Sequence, residues 1–304
     1  MPSERKTVAL IFLWVTVLFW GLSFISTKSA LRTIPPMTLA LLRFAIAAIA
    51  LIPVKQRLAP REGLALRDIP IMSGAGLVGV TLYFLFENYG VKLTTASESS
   101  LIIATIPILT LLAEAFVSRG GSHSRLTRLQ WIGAFLSFGG VTMIVGKGLR
   151  LSRSAGGYLF MFGAVLSWVV YTFLTRELFG RYSRITVVFW QTLFGLVGLI
   201  PLAALDVGAF GIPNLGAWLN VAYLGIACSA LGYWFFACAL DGLGVVTCSV
   251  YINFIPVVTV TTGALMGERL TLLQLLGGGL VIWGIFLATI GRPAPSTGSR
   301  LARG

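Results

Sequence analysis

Charge is scarce in this chain. Of its 304 residues only 11% are Asp, Glu, Lys or Arg, where a soluble domain carries about a quarter. That shortage excludes an ordinary water-soluble domain, whose surface needs charged side chains to cover it. Histidine is nearly absent: the one present, His123, falls between apolar runs. An intramembrane histidine metal site or a histidine proton relay is therefore excluded, and any proton carried through the chain needs a carboxylate. The three cysteines, Cys228, Cys238 and Cys248, form neither a CxxC pair nor a disulfide framework and read as small packing residues. No HExxH, GxSxG or Walker pattern occurs, so no enzymatic chemistry and no cofactor are implied. The stretch GAGLVG, Gly74 to Gly79, has the letters of a dinucleotide fingerprint but lies inside an apolar run with no strand before it. Close helix packing explains its small residues better.

What the chain does have is apolar length. Hydrophobic residues make up 57% and the mean hydropathy is +0.90. Runs near membrane-spanning length fall at about 8–27, 37–54, 69–90, 96–117, 129–146, 157–176, 185–205, 215–238, 245–266 and 271–290. The fold expectation is all-α integral membrane, with ten transmembrane helices, since helices satisfy their own backbone in lipid. Basic residues precede the first run as in a signal peptide, yet the run is about twenty residues long without a small-x-small site after it, so it reads as a retained helix. The tail RPAPSTGSRLARG, 292–304, has a disordered composition.

A net charge of +13 would point to nucleic acid in a soluble protein; here it reads as orientation. One side of the ten spans holds fifteen Lys and Arg, the other seven, which places both termini in the cytoplasm. The bilayer and a small molecule are the expected partners, with no nucleic acid, and the chain reads as a monomer.

The two halves resemble each other. At a constant offset of 148, Val17, Leu18, Trp20, Thr27, Thr38 and Pro53 meet Val165, Leu166, Trp168, Thr175, Thr186 and Pro201, and Lys28 meets Arg176. After small slippages Pro107 meets Pro256, SRLT (Ser124 to Thr127) meets ERLT (Glu268 to Thr271), and Gln130 and Gly133 meet Gln274 and Gly277. The expected units are a five-helix repeat over 1–148 and a second over 149–291. Five is odd, so the second repeat enters the membrane inverted. That is the arrangement of carriers whose halves open alternately to each side.

Pro107 and Pro256 lie near span centres and are repeat mates, which makes them candidate hinges; a packed kink is the other reading. Glu87, Glu98, Glu114 and Arg43 lie inside spans, where a charge costs a few kcal/mol and faces the interior. Lys28, Arg43, Glu87 and Glu98 are expected to form an outer charge cluster. Glu114 reads as snorkelling, and Lys28 either snorkels or meets a carboxylate or substrate. Trp20, Trp168 and Tyr171, with Tyr83, Tyr233 and Asn253, set aromatic and amide groups at mid-depth. Intramembrane aromatics are often packing residues, but this mixture suits an apolar solute with a polar end.

FWGLSFISTKSAL followed by PPMTLALLRFAIAAIAL resembles the opening of EamA-type carriers of the drug/metabolite transporter superfamily. TTASESSLIIATIPILTLL and VVTCSVYINFIPVVTVTTGALMGERLTLLQLLGGGLVIWG resemble that family's third-to-fifth and eighth-to-tenth helices. The resemblance covers residues 8–291. It marks Trp20, Lys28, Arg43 and Glu268 as recurrent positions, with Ser124 a departure from the acidic residue at Glu268. It implies a cavity lined by helices 1, 3, 4, 6, 8 and 9, with 5 and 10 peripheral. Export of amino acids from a bacterial inner membrane is implied too, and similarity to the YddG-like branch favours aromatic ones. On that reading Trp20, Tyr83, Trp168, Tyr171 and Tyr233 hold the apolar part of the substrate and Glu87 its ammonium. Asn253 and the carbonyls freed by the prolines supply the other polar contacts. A nucleotide-sugar or phosphate-ester antiporter, a drug or cation exporter and a passive channel are the alternatives.

Overall fold

A computed structural model describes residues 2–117, 127–145 and 153–290, and every regular element among them is helical. The helices are α1 Pro2–Ala30, α2 Pro36–Leu58, α3 Ile69–Gly76, α4 Tyr83–Leu93, α5 Ala96–Ile103, α6 Ile106–Val117 and α7 Arg128–Val145. There follow α8 Arg153–Arg181, α9 Arg184–Asp206, α10 Leu215–Tyr223, α11 Gly232–Ile252, α12 Ile255–Leu265 and α13 Leu272–Ile290. Among the described residues seven stretches are long and apolar enough to cross a membrane, and Ile255–Leu265 and Leu272–Ala288 are shorter apolar helices. His123, Ser124 and the tail 292–304 lie outside the described residues.

Large apolar side chains stand exposed around the helices, among them Ile49, Phe135, Leu159 and Val197, each more than 60% accessible. In water such a belt would aggregate; in a bilayer it is the solvent-facing surface. Inside, Leu13, Phe44, Met72, Ile102, Met161 and Leu178 are fully buried.

Helix ends show how the chain ties itself together, since each leaves backbone groups unpaired. Asp206, the last residue of α9, accepts the first-turn amides of α2 at Met37 (2.7 Å) and Thr38 (3.1 Å) and the Thr38 hydroxyl (2.7 Å). Reciprocally Glu62, just after α2, accepts the amide of Ser183 (2.9 Å) and its hydroxyl at the start of α9. Desolvation alone would raise the Glu62 carboxyl, but the donors Ser183 and Thr186 and the charge of Lys55 outweigh it and hold it below the ordinary 4.5. The sequence matches Thr38–Thr186 and Gln130–Gln274 are thus cap positions. Thr127 and Gln130 form a capping box on α7 (2.9 and 3.3 Å), and Thr271 and Gln274 form one of equal dimensions on α13.

Packing between the halves follows the same pairing. α1 packs on α11 as α4 packs on α8; α2 packs on α9, and α7 on α13. The α7–α13 contact is glycine on glycine. A Cβ at Gly277 would lie 2.6 Å from the Gly140 carbonyl oxygen, and Gly133 and Gly284 press on each other's backbones in the same way. In lipid no hydrophobic drive joins helices, so such close backbone approach supplies the association. Gly277→Leu is therefore expected to separate the pair and lower stability by about 1–3 kcal/mol. Thermal unfolding in detergent measures it, and an unchanged midpoint would contradict the contact.

The long apolar stretches are not uniform helices. Leu77–Leu82 and Leu224–Leu231 are π-helical, and both interruptions lie beside the contacts between halves. Ahead of each repeat-mate proline the helix stops, at Ala104–Thr105 and at Asn253–Phe254. Pro107 and Pro256 then stand in the first turn of α6 and α12, where a missing amide costs nothing. The clash expected of a proline within a continuous helix is avoided by starting a new one.

Lys28 at the end of α1 and Tyr158 near the start of α8 lie on one face of the bundle. Arg176 and Arg181, at the other end of α8, mark the opposite face. These are the Lys28 face and the Arg176 face below.

Candidate functional site

Between the faces the two halves meet through aromatic rings. Trp168 on α8 is the hub, with ring centroids 5.1 Å from Tyr83, 5.1 Å from Tyr171, 6.1 Å from Tyr233 and 6.3 Å from Trp20. Trp20 on α1 in turn lies 5.4 Å from Tyr233 and 5.3 Å from Phe236 on α11. All five aromatic residues singled out in the sequence therefore share one cluster. The sequence sets each there by helix period and by glycines opposite. A Cβ at Gly79 would strike the Tyr171 ring, and one at Gly232 would come 2.8 Å from the Trp20 indole nitrogen.

The π-helical segments serve the cluster as well. The Trp20 indole donates to the Cys228 carbonyl (3.1 Å) inside Leu224–Leu231, where the normal helical ladder is broken. Tyr171 donates its hydroxyl to Gln191 Oε1 at 3.0 Å. From the cluster a narrow cleft extends along α8 toward Arg176, lined by Trp168, Tyr171, Thr175, Phe179, Tyr233 and Phe236 among others. Its wall is apolar with hydroxyls spaced along it, the mixture that suits an apolar solute with a polar end.

Two charges flank the rings. Arg43 on α2 is 3% exposed; its Nε donates to Ser229 Oγ (3.0 Å), and its guanidinium lies 4.4 Å from the centre of the Phe84 ring. Glu87 on α4 is 6% exposed, and its Oε2 has no donor. Asn253 Oδ1, at the break before α12, is also buried without a donor. An unmet buried acceptor costs about 1–3 kcal/mol, so these atoms await a partner from elsewhere.

The expected four-charge cluster does not form. Lys28, Arg43, Glu87 and Glu98 make no ion pair with one another among the described residues, because each has a different neighbour. Lys28 spends its ammonium on the open carbonyl end of α4, donating to Val91 (2.8 Å), Lys92 (3.1 Å) and Thr94. Glu98 closes a capping box with Thr95 at the start of α5 and accepts Tyr158 Oη (2.9 Å) and Gln274 Nε2 (2.6 Å). Glu268 accepts the amide (3.3 Å) and hydroxyl of Ser97. Lys28 from α1, Tyr158 from α8, Glu268 from the segment before α13 and Gln274 from α13 thus clasp the α4–α5 junction, with Glu98 of α5 accepting from two of them.

The Arg176 face is built differently. Arg176, the repeat mate of Lys28, pairs with Glu114 at 2.7 Å, and both side chains are substantially exposed. Glu114 is therefore held by an arginine as well as by the interface. α11 runs on through Ile252 where the first half breaks at Thr94–Thr95, so no matching clasp of a helix junction is built there.

Two residues of the site were not singled out in the sequence: Gln191, which orients Tyr171, and Tyr158, which holds Glu98. Gln191 was findable. It stands 148 positions after Arg43, and the two carbonyls face matching glycines, Gly76 at 2.6 Å and Gly225 at 2.9 Å from an added Cβ. The described residues contain no group of three or more His, Cys, Asp or Glu placed to hold a metal ion.

The model of the EamA-like transporter family matches residues 7–146 and again 155–290. An uncharacterized transporter of Archaeoglobus fulgidus is 30% identical, over 91% of this chain and 97% of its own. A protein of Streptantibioticus cattleyicolor named "Probable terminal-alkyne amino-acid exporter" is also 30% identical, over 91% of this chain and 93% of its own. One of Salmonella typhimurium named "Probable amino-acid metabolite efflux pump" is 27% identical over the same shares. A solved crystal structure, 22% identical, superposes with a TM-score of 0.67 over 95% of this chain and all of that one, and so shares the fold.

Proposed function

The chain belongs to the EamA-like transporter family, and from that premise we propose that it exports amino acids, aromatic and hydrophobic ones above all, across a bacterial inner membrane by alternating access. The observation that carries this reading is the ring cluster between the two halves, open to one cleft and flanked by the unmet carboxylate oxygen of Glu87. Rings and carboxylate together match an aromatic side chain with an ammonium. The exporters of Streptantibioticus and Salmonella agree with that class of cargo.

The carrier reading rests on two inverted five-helix repeats, 1–148 and 149–291, making ten crossings with both termini cytoplasmic. The two family matches support it, as do the reciprocal caps of α2 and α9, the twin capping boxes and the paired contacts between halves. Pro107 and Pro256, each just after a helix break, are the hinges about which one half rocks on the other. The chain acts as a monomer in the bilayer.

A phosphate-ester antiporter needs convergent basic groups. Lys28 does not converge with Arg43 on the rings: it is held on the carbonyls of Val91, Lys92 and Thr94. Purified protein in liposomes loaded with labelled phenylalanine, tryptophan and leucine tests the proposal. Saturable efflux is expected, fastest for the aromatic pair; no flux for any of the three overturns it.

A further inference from the structure

We propose that Arg43 and Glu87 form a zwitterion-recognition pair: Arg43 takes the substrate's α-carboxylate and Glu87 its α-ammonium, with the rings holding the side chain. This deepens the amino-acid reading above and rests on it.

Arg43 is among the most deeply buried charges of the described chain, yet its one hydrogen-bond partner is a neutral hydroxyl, Ser229. A buried guanidinium normally meets a carboxylate, because unpaired burial is costly. Here Arg43 enters no ion pair among the described residues and rests against Phe84 and Phe44, 4.4 and 5.6 Å from the ring centres. Glu87 is the complementary case: Tyr83 stands beside its carboxylate, but the buried Oε2 has no donor among the described residues. Arg43 lies over the Phe84 ring, and Glu87 stands one turn beyond Tyr83 and Phe84 on the same helix, so both charges border the same end of the ring cluster. They do not touch. A direct pair would satisfy both; held apart, each is left for a ligand group of opposite sign. The fold does not demand the charges, since the repeat mate of Arg43 is the neutral Gln191. A planar fork of donors suits a carboxylate, and the ring cluster suits an aromatic side chain; Phe84 links the two, with Arg43 over its ring and the Tyr83 ring 4.9 Å from it.

Three isosteric probes separate the roles: phenylalanine, phenethylamine without the carboxylate, and 3-phenylpropionate without the ammonium. Wild-type protein in liposomes is expected to move phenylalanine at least tenfold faster than either analogue, because each analogue leaves one buried charge unmet. Arg43→Gln is expected to lose at least tenfold for phenylalanine and keep phenethylamine, and Glu87→Gln to lose phenylalanine and gain on 3-phenylpropionate. Retained preference for phenylalanine over phenethylamine in Arg43→Gln overturns the assignment. Quenching of wild-type tryptophan fluorescence reads the same discrimination without a variant, should Arg43→Gln fail to fold. Equal affinity for phenylalanine and phenethylamine then overturns it while leaving the amino-acid reading intact, whereas wild-type protein that moves none of the three overturns both.

Discussion

Replacing Trp168 with alanine is expected to cut transport by at least a hundredfold while costing about 3–5 kcal/mol of stability. The indole touches Tyr83, Tyr171, Tyr233 and Trp20, so it joins α8 to α4, α11 and α1 at one point. Its loss removes both a wall of the cleft and the ring contacts that join α8 to α1 and α4. Trp168→Phe keeps a ring in place and is expected to recover most stability but only part of the flux. Efflux from liposomes and thermal unfolding in detergent separate the two effects. A Trp168→Ala variant that transports normally would place the substrate path elsewhere. Trp20→Ala, which also loses the bond to the Cys228 carbonyl, should couple to Trp168→Ala rather than add to it.

Lys28→Met should open the opposite face. Three carbonyls at the end of α4 lose their donor at once, and hydrogen bonds to a charged group contribute about 1.5–3 kcal/mol. Every 1.4 kcal/mol of local stability is about tenfold in opening, so amide hydrogen exchange across 93–100 should accelerate by tenfold or more. Exchange at the Asp68–Arg181 contact on the other face should not change. Arginine is not a substitute: its rigid fork cannot place three donors on three converging carbonyls as an ammonium does. Unchanged exchange across 93–100 in Lys28→Met would show that Glu98, Glu268 and Tyr158 hold the junction without it.

Hydropathy and composition made the membrane class and the all-helical fold legible, because apolar length without charge has few other uses. The aromatic cluster was legible too: helical spacing put Trp20, Tyr83, Trp168, Tyr171 and Tyr233 at matching depth, and the fold brings the rings together. The repeat-mate polar residues were visible as matches but not as caps. Thr38, Thr186, Gln130 and Gln274 carry their meaning in a helix end that only the backbone reveals. The charge cluster failed for the same reason. Depth alone cannot show that Lys28 faces a helix C-terminus or that Glu98 caps a helix start. Backbone partners have no letter in the sequence, so side chains were paired with side chains.

The central claim is that one ring-lined site is presented alternately to two sides, and counterflow tests it most directly. Liposomes containing the protein and a high internal concentration of unlabelled phenylalanine are placed in trace labelled phenylalanine outside. A carrier must return its site to the outer side whether loaded or empty, so internal phenylalanine is expected to speed entry of label and raise it transiently above equilibrium. Entry that is indifferent to internal phenylalanine, and does not saturate, would mean a continuous pore and contradict the account.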